Sequence, residues 1–214
     1  MLIYSYHDTL PWQAKLREAL FARLQTVPAE QRPELFEERI EGHRLSHIIS
    51  YTTLWALLET KYSKVKLDLM VTENDYAFNL IKEYPTIFPG VKRQALTLTL
   101  GKDGEALVAN ENCIEAVNTI LHVLPNTKRI IAVVSHDDPY GANVMAQLKS
   151  AQSSLSAKNI RLEIWNDFSF EELDQRIQQL PPKDTAILFF PVMQDRLGVS
   201  QIPRDVFQHL RAIA

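Results

Sequence analysis

The chain contains a single cysteine, Cys113, among its 214 residues. One thiol cannot form an internal disulfide, and it cannot supply the cysteine pairs of a structural zinc site. Cys113 does not identify the cellular compartment, because a lone buried thiol is tolerated in an oxidising location as well as in a reducing one. No stretch of about 18 consecutive apolar residues occurs, so the sequence predicts no membrane-spanning helix. A signal peptide is not visible either, since the first predicted strand begins at Leu2.

Glycine is also scarce. The six glycines form neither G-x-G-x-x-G nor G-x-x-x-x-G-K-[ST], so the usual backbone cradles for dinucleotides and nucleotide phosphates are absent. The missing G-x-S-x-G argues in the same way against an α/β-hydrolase. The net charge is −3, and the longest basic runs are the pairs Lys92-Arg93 and Lys128-Arg129. We therefore expect no nucleic-acid surface.

Short apolar runs alternate with helical patterns about seven times, which predicts an α/β fold with parallel sheets flanked by helices. Pro125-Asn126 is the best candidate boundary, and it divides the chain into lobe one, 1–126, and lobe two, 127–214. Four strands are predicted before the boundary and three after it. The predicted strands are Leu2–Tyr4, Leu35–Ile40, Val65–Val71, Gln94–Leu100, Ile130–Val134, Asn159–Trp165 and Ala186–Phe190.

The helices are predicted from apolar periodicity and capping signals. Asp8 or Thr9 is expected to cap the first helix, and a long helix is expected over His43–Tyr62. Asn112, with Glu115 three positions on, suggests a capped helix that ends near Leu124. The remaining helices are predicted after Asn74, from Pro139 to Ala157, from Phe168 to Leu180 and from Pro203 to Ala214.

The stretch Lys128–Ala142 has the pattern of a buried strand that delivers a polar loop and then a helix. In open α/β sheets, ligands lie just beyond the carboxyl ends of such strands. Hydroxyl side chains follow three predicted strands, where they suit either anion recognition or helix capping: Ser5, Thr72 and Ser135. Aromatic side chains near the same strand ends could line a ligand pocket or belong to the core: Tyr6, Trp12, Tyr76, Tyr140 and Phe190.

Metal binding is the alternative at two places. His43 and His47 are four residues apart, but the glutamate of H-E-x-x-H is absent, so solvent-facing histidines are favoured. Asp137 and Asp138 follow a strand and could hold magnesium. Asp138 precedes Pro139, however, and this order favours an N-cap with proline at the first helical position.

Four stretches resemble the ABC-transporter substrate-binding-protein-like family in their order and spacing: LIYSYHDTLPWQAKLREAL, LDLMVTENDYAFNLIKEYPTIFPGV, HVLPNTKRIIAVVSHDDPYG and ILFFPVMQDRLG. The resemblance covers nearly the whole chain. It implies the type I periplasmic-binding-protein fold, in which two α/β lobes close on a ligand. Members are free solute-binding proteins or extracytoplasmic sensor domains of histidine kinases and diguanylate cyclases.

The sequence departs from the family pattern in three places. The second strand is the polar LFEERIE, the fourth strand ends as TLTLGKDG, and the chain stops at Ala214, where family members continue. The resemblance therefore implies a truncated second lobe. It also implies a ligand in the interlobe cleft, lined by loops that contain Ser5, Tyr6, His7, Thr72, Glu73, Asn74, Ser135, His136, Asp137, Met193, Gln194 and Asp195.

The leading hypothesis is an extracytoplasmic sensory domain, without enzymatic activity, cofactor or metal, that binds an amino acid or other small carboxylate. Its further partners would be membrane signalling domains, and a homodimer is left open. A free periplasmic solute-binding protein of an ABC transporter is the nearest alternative. The other classes considered are a metal- or phosphate-using enzyme with Asp137 and Asp138 as ligands, and a structural interaction module.

Overall fold

Two compact units make up the chain, Met1–Asn110 and Glu111–Ala214. The computed structural model describes residues 1–8, 10–42, 50–84, 88–97, 106–108, 112–136, 138–181 and 183–214. The sequence predicted a boundary at Pro125-Asn126. The structure places the division before the helix Cys113–Val123, so this helix belongs to the second unit.

The first unit contains a parallel sheet of five strands in the order β2-β1-β3-β4-β5. The strands are β1 (Leu2–Tyr4), β2 (Glu37–Arg39), β3 (Leu69–Glu73), β4 (Lys92–Thr97) and β5 (Ala106–Val108). The polar strand β2 lies at an edge, as its charged sequence predicts. The sequence missed β5, because a run of three residues shows no alternation that can be distinguished from a loop.

The helices of this unit are α1 (Pro11–Gln25), α2 (Tyr51–Tyr62) and α3 (Asn74–Glu83), with a 3₁₀ turn at Ala29–Gln31. The continuous helix predicted from His43 to Tyr62 is wrong at Ser50, which is extended (φ −67°, ψ 148°) and accepts a hydrogen bond from the Thr53 N–H at 3.2 Å. Apolar periodicity continues across this serine, but its hydroxyl competes with the helix for backbone donors. Residues 43–49, which include the histidine pair, lie outside the described residues.

Two predicted boundaries in the first unit also change. The N-cap of α1 is Leu10, without a side-chain cap, and Pro11 occupies the start of the helix. Strand β3 covers Leu69–Glu73 rather than 65–71 because its register is set by pairing with β1, where Tyr4 lies opposite Glu73. Thr72 and Glu73 therefore belong to the strand and not to the loop after it.

The second unit has a parallel sheet of three strands in the order β7-β6-β8. Its strands are β6 (Arg129–Val133), β7 (Arg161–Trp165) and β8 (Thr185–Phe189), and its helices are α4 (Cys113–Val123), α5 (Pro139–Ala157), α6 (Phe170–Gln178) and α7 (Pro203–Ile213). The predicted cap at Asn112 is confirmed, since its side chain accepts the N–H groups of Ile114 and Glu115. The capping box of Ser169 and Glu172 was not predicted.

Each unit has its own apolar core. Ile3, Met70 and Trp55 are fully buried in the first unit, and Ile131 and Leu173 are fully buried in the second. Strand β6 is central, and Ile130 to Val133 are buried on both of its faces, which explains the apolar run that follows Arg129. Within the described ranges, no helix is long and apolar enough to cross a membrane.

Candidate functional site

The carboxyl ends of β1 and β3 form the candidate site of the first unit. The strand order reverses between these two central strands, and the crevice at such a reversal is where open α/β sheets bind ligands. Ser5 directly follows β1, and Glu73 is the last residue of β3. The structure therefore brings the predicted residues around Ser5 and Glu73 together at one edge of the sheet.

Ser5 is fully buried and acts as a connector between the strands and α3. Its hydroxyl donates to the Glu73 carbonyl oxygen at 2.5 Å and accepts the Ala77 N–H at 2.9 Å. Ala77 lies in the first turn of α3, so Ser5 satisfies one of the amides that a helix start leaves without a partner. At this serine the structure supports the capping alternative over anion recognition.

Glu73 is the most perturbed ionisable group of the crevice. Only 4% of the residue is exposed, and its carboxylate accepts the Trp12 indole N–H at 2.9 Å and the Ser5 backbone N–H at 3.3 Å. Burial raises the pKa of Glu73 to about 7, with a smaller contribution in the same direction from Asp75, while the two hydrogen bonds oppose the shift. Glu73 is thus partly ionised at neutral pH.

Asn74 and Thr72 flank Glu73 and have structural roles. Asn74 begins α3 with φ +64°, a conformation that asparagine tolerates better than most residues, and its side-chain oxygen accepts the Asp75 N–H at 2.8 Å. Thr72 is buried within β3, opposite Ile3 of β1. The polar group that distinguishes this strand end is therefore the carboxylate of Glu73.

Aromatic side chains lie close to these strand ends in the sequence. Tyr6 and Tyr76 pack edge to face with their ring centroids 5.8 Å apart. Gly42 donates its N–H to the Ser5 carbonyl at 2.8 Å, and a Cβ there would lie 2.5 Å from the Tyr76 ring. Trp12 is 51% exposed although its indole N–H reaches the buried Glu73, so much of its ring faces solvent.

Sequence reasoning missed Gln13 altogether. This residue is only 1% exposed, it is the buried residue of α1, and neither its amide nitrogen nor its amide oxygen has a hydrogen-bond partner. The sequence did contain a signal for its burial. Gln13, Leu16, Leu20 and Leu24 are spaced by three and four residues and therefore lie on one helix face. Gln13 is therefore a polar side chain on the helix face that otherwise carries leucines.

In the second unit, the loop after β6 contains Ser135, which is buried, and His136, which is half-buried. Asp137 lies outside the described residues. The carboxylate of Asp138 accepts the Gly141 N–H at 2.6 Å and so caps α5, as predicted over metal binding. Among the described residues, no group of three or more histidine, cysteine or acidic side chains is arranged to hold a metal ion.

The loop after β8 is organised by Asp195. One carboxylate oxygen accepts the N–H groups of Leu197 and Val199, each at 2.9 Å, and the other accepts the Phe170 N–H at 3.0 Å. The Gln194 amide donates to the Gly198 carbonyl at 2.9 Å, and Met193 and Gln194 are half-buried. The structure therefore gives the predicted site residue Asp195 a framework role, with both oxygens bonded to backbone.

Gly141→Ala is expected to lower the free energy of unfolding by about 2 kcal/mol, although alanine has the higher helix propensity by about 1 kcal/mol. A Cβ at this position would lie 2.5 Å from the Ser135 carbonyl oxygen, which is backbone and cannot move aside cheaply. Urea unfolding followed by circular dichroism measures the change. The control is Ser153→Ala on the exposed face of the same helix, which should be neutral or slightly stabilising. A stabilised Gly141→Ala variant would contradict the close approach.

Comparison with known proteins rests on solved structures, because no protein-family model and no curated protein sequence matches the chain. A LacI-family transcriptional regulator from Bifidobacterium animalis subsp. lactis aligns over 99% of this chain and 70% of its own, with 14% identity and a TM-score of 0.58. An ABC domain in complex with L-Trp from Streptococcus pneumonia aligns over 99% and 68%, with 13% identity and a TM-score of 0.61. An extracellular ligand-binding receptor from Verminephrobacter eiseniae aligns over 89% and 57%, with 15% identity and a TM-score of 0.56.

The chain has the type I periplasmic-binding-protein fold. The fold predicted from the sequence resemblance is thereby confirmed. The chain spans between 57% and 70% of the length of these three structures. At identities of 13–15% the likeness establishes the fold alone, so the ligand and the location of a binding-protein-like domain must be argued from its own residues.

Proposed function

We propose that this chain is an extracytoplasmic small-molecule-binding sensory domain of a membrane signalling protein, such as a histidine kinase or a diguanylate cyclase. It would carry no enzymatic activity, and any kinase or cyclase activity would belong to other parts of the protein. The observation that carries the proposal is the polar crevice at the carboxyl ends of β1 and β3. There the half-exposed Trp12 donates to the buried Glu73, and the next residue of α1 is the buried Gln13, in a chain with a periplasmic-binding-protein fold.

The composition of this crevice suits a small organic ligand. Such sites combine apolar or aromatic walls with a few polar groups that fix orientation. Here Trp12 offers an exposed ring, Tyr6 and Tyr76 pack against each other near the same strand ends, and Glu73 and Gln13 are buried polar groups. The neighbour from Streptococcus pneumonia holds L-Trp, which supports an amino acid or another small carboxylate as the ligand of this chain.

In the proposed mechanism, the ligand favours one of two conformations of the domain. A ligand shifts a conformational equilibrium only by the difference between its affinities for the two states. The buried carboxylate of Glu73 and the buried amide of Gln13 can supply this difference in affinity, because each gains a hydrogen-bond partner when the ligand binds. The signalling domains would detect the shifted population. The cleft between lobes and the contribution of the loops at His136 and Gln194 remain sequence-based predictions.

A free periplasmic solute-binding protein of an ABC transporter is the second candidate. The observation that favours it is the likeness to the ABC domain with L-Trp, which has the highest TM-score of the three structures compared above. The complete open reading frame separates the candidates. A membrane span joined to a kinase or cyclase domain supports the sensor, whereas a lipoprotein signal without a further span supports transport.

Ligand-induced stabilisation tests the proposed function. A panel of L-amino acids and small carboxylates is added to the 214-residue chain, and unfolding is followed by heat and by urea. A compound present at 100 times its dissociation constant should stabilise the native state by about 2.7 kcal/mol. Trp12→Phe should weaken the effect because it removes the indole donor to Glu73, whereas Leu57→Ala, an exposed position on α2, should not. Absence of stabilisation by every compound would overturn the proposal.

A further inference from the structure

The carboxylate of Glu73 is buried, and its bonded partners are neutral N–H groups. It accepts from the Trp12 indole and from the Ser5 backbone, and no lysine, arginine or histidine of the described residues forms an ion pair with it. Buried carboxylates are normally paired with a cation, because removing an unpaired charge from water is costly. Among the described residues, Asp75 acts electrostatically on Glu73; it is buried at the start of α3 and carries the same sign of charge.

Gln13 supplies a second, independent observation. Both polar atoms of its amide are buried without a hydrogen-bond partner. Buried side-chain amides are nearly always bonded, and each unmet group costs about 1–3 kcal/mol. Gln13 follows Trp12 in the first turn of α1, and the Trp12 indole is bonded to Glu73, so this turn is fixed at the carboxyl edge of the sheet.

We propose that this crevice is a subsite for a protonated primary amine, which Glu73 binds through its carboxylate and Gln13 through its amide oxygen. The inference rests on the proposed function and names the ligand class of that site. The Gln13 amide nitrogen would donate to the ligand's neighbouring polar group, and the exposed Trp12 ring would contact its carbon skeleton. Amino acids and amines fit this subsite, whereas carboxylates that lack an amine leave Glu73 without a cation and the Gln13 amide without a hydrogen-bond partner.

The subsite gives the binding of amines a characteristic pH dependence. The ionised form of Glu73 binds the ammonium group, so affinity should rise as pH rises through about 7, the pKa of the empty site. The negative charge of Asp75 also attracts the ammonium group. Tyr4 of the neighbouring strand has a pKa of about 12 and donates its hydroxyl to Glu37, so it stays neutral across this range.

The test uses three probes that share a phenylethyl group: L-phenylalanine, 3-phenylpropionate and phenethylamine. A parallel set replaces phenylalanine with L-tryptophan, indole-3-propionate and tryptamine. Dissociation constants are measured by calorimetry between pH 5.5 and 8.5 with the native chain and with Glu73→Gln, which keeps an acceptor for Trp12 and Ser5 but removes the charge. The matched control is Glu59→Gln, the same substitution at an exposed position of α2.

We expect the amino acid and the amine to bind at least about tenfold more tightly than the carboxylate, since charged hydrogen bonds dominate such differences. Glu73→Gln should remove this preference and flatten the pH profile, and Glu59→Gln should change neither. Binding of the carboxylate as tightly as the amino acid, unaffected by Glu73→Gln, would overturn the amine subsite and leave the binding function in place. Failure of all six probes and of the wider amino-acid panel would overturn both.

Gln13→Met separates a ligand contact from a purely structural residue. Methionine has a similar length and no amide, so the empty protein should become more stable when the unmet polar group is removed. If Gln13 contacts the amine, the same variant should bind L-phenylalanine several-fold more weakly. A stabilised variant with unchanged affinity would remove Gln13 from the subsite, and an unchanged affinity in Glu73→Gln as well would overturn the subsite itself.

Discussion

Glu73→Gln should abolish a pH dependence of stability worth about 3 kcal/mol between pH 4.5 and 7. In the unfolded chain this carboxyl has its ordinary pKa of 4.5, whereas in the folded protein burial raises the pKa to about 7. Between these values the native state holds a proton that the unfolded state has released. The contribution of Glu73 is therefore fully present below pH 4.5 and is lost as pH rises to about 7, at about 1.4 kcal/mol per pH unit.

The measurement compares urea unfolding of the native chain and Glu73→Gln at several pH values from 4.5 to 8. Other titrating groups are common to both proteins, so the difference between the two free energies of unfolding isolates Glu73. This difference should shift steadily in favour of the glutamine variant up to about pH 7 and then become constant. Glu59→Gln should give a flat difference across the same range, because Glu59 is exposed. A flat difference for Glu73→Gln would contradict the burial of its carboxyl without a counter-charge.

Asp195→Ala should lower the free energy of unfolding by roughly 3–5 kcal/mol, the range for losing several charge-assisted hydrogen bonds at a buried site. The carboxylate accepts three backbone N–H groups, those of Phe170, Leu197 and Val199. Phe170 is the first residue of α6, so the substitution also removes a negative charge beside a helix N-terminus. The substitution thus removes the side chain that joins the loop after β8 to the start of α6.

A graded series checks this explanation by urea unfolding at pH 7. Asp195→Asn retains one acceptor oxygen and should lose less stability than Asp195→Ala, since part of the backbone bonding survives. Gln194→Ala removes one side-chain bond to the Gly198 carbonyl at the exposed side of the same loop and should cost less than 1 kcal/mol. If Asp195→Ala were as mild as Gln194→Ala, Asp195 would be free to serve as a ligand side chain rather than as part of the framework.

Local patterns predicted much of the fold. The apolar run from Ile130 to Val134 identified the central parallel strand β6, and the charges of β2 identified an edge strand, because burial on two faces excludes charged side chains. Asn112 and Asp138 were recognised as helix caps because a cap depends on residues within three positions. The β1 and β3 strand ends could likewise be predicted as site loops, since parallel strands place their carboxyl ends at one edge.

The roles of individual side chains required the tertiary structure. Ser5 and Asp195 were predicted as residues of the ligand-lining loops, and only the structure shows that both are bonded to backbone groups of other elements, with the partners of Ser5 about 70 positions away. Glu73 was predicted in the loop after the third strand, whereas it is the last residue of that strand. Its raised pKa, however, depends on burial beneath side chains that sequence spacing cannot identify. Gln13 was missed because burial of one polar position on an apolar stripe is decided by what packs over it.

The sequence by itself determined the order of strands and helices, most of their boundaries and the loops that form the candidate site, because these depend on periodicity and capping over a few residues. Only the tertiary structure decided the strand register, the extra strand β5, the break before α2 and the bond from Trp12 to Glu73. These features depend on contacts between distant parts of the chain, whose geometry is set when the sheets pair and the cores pack.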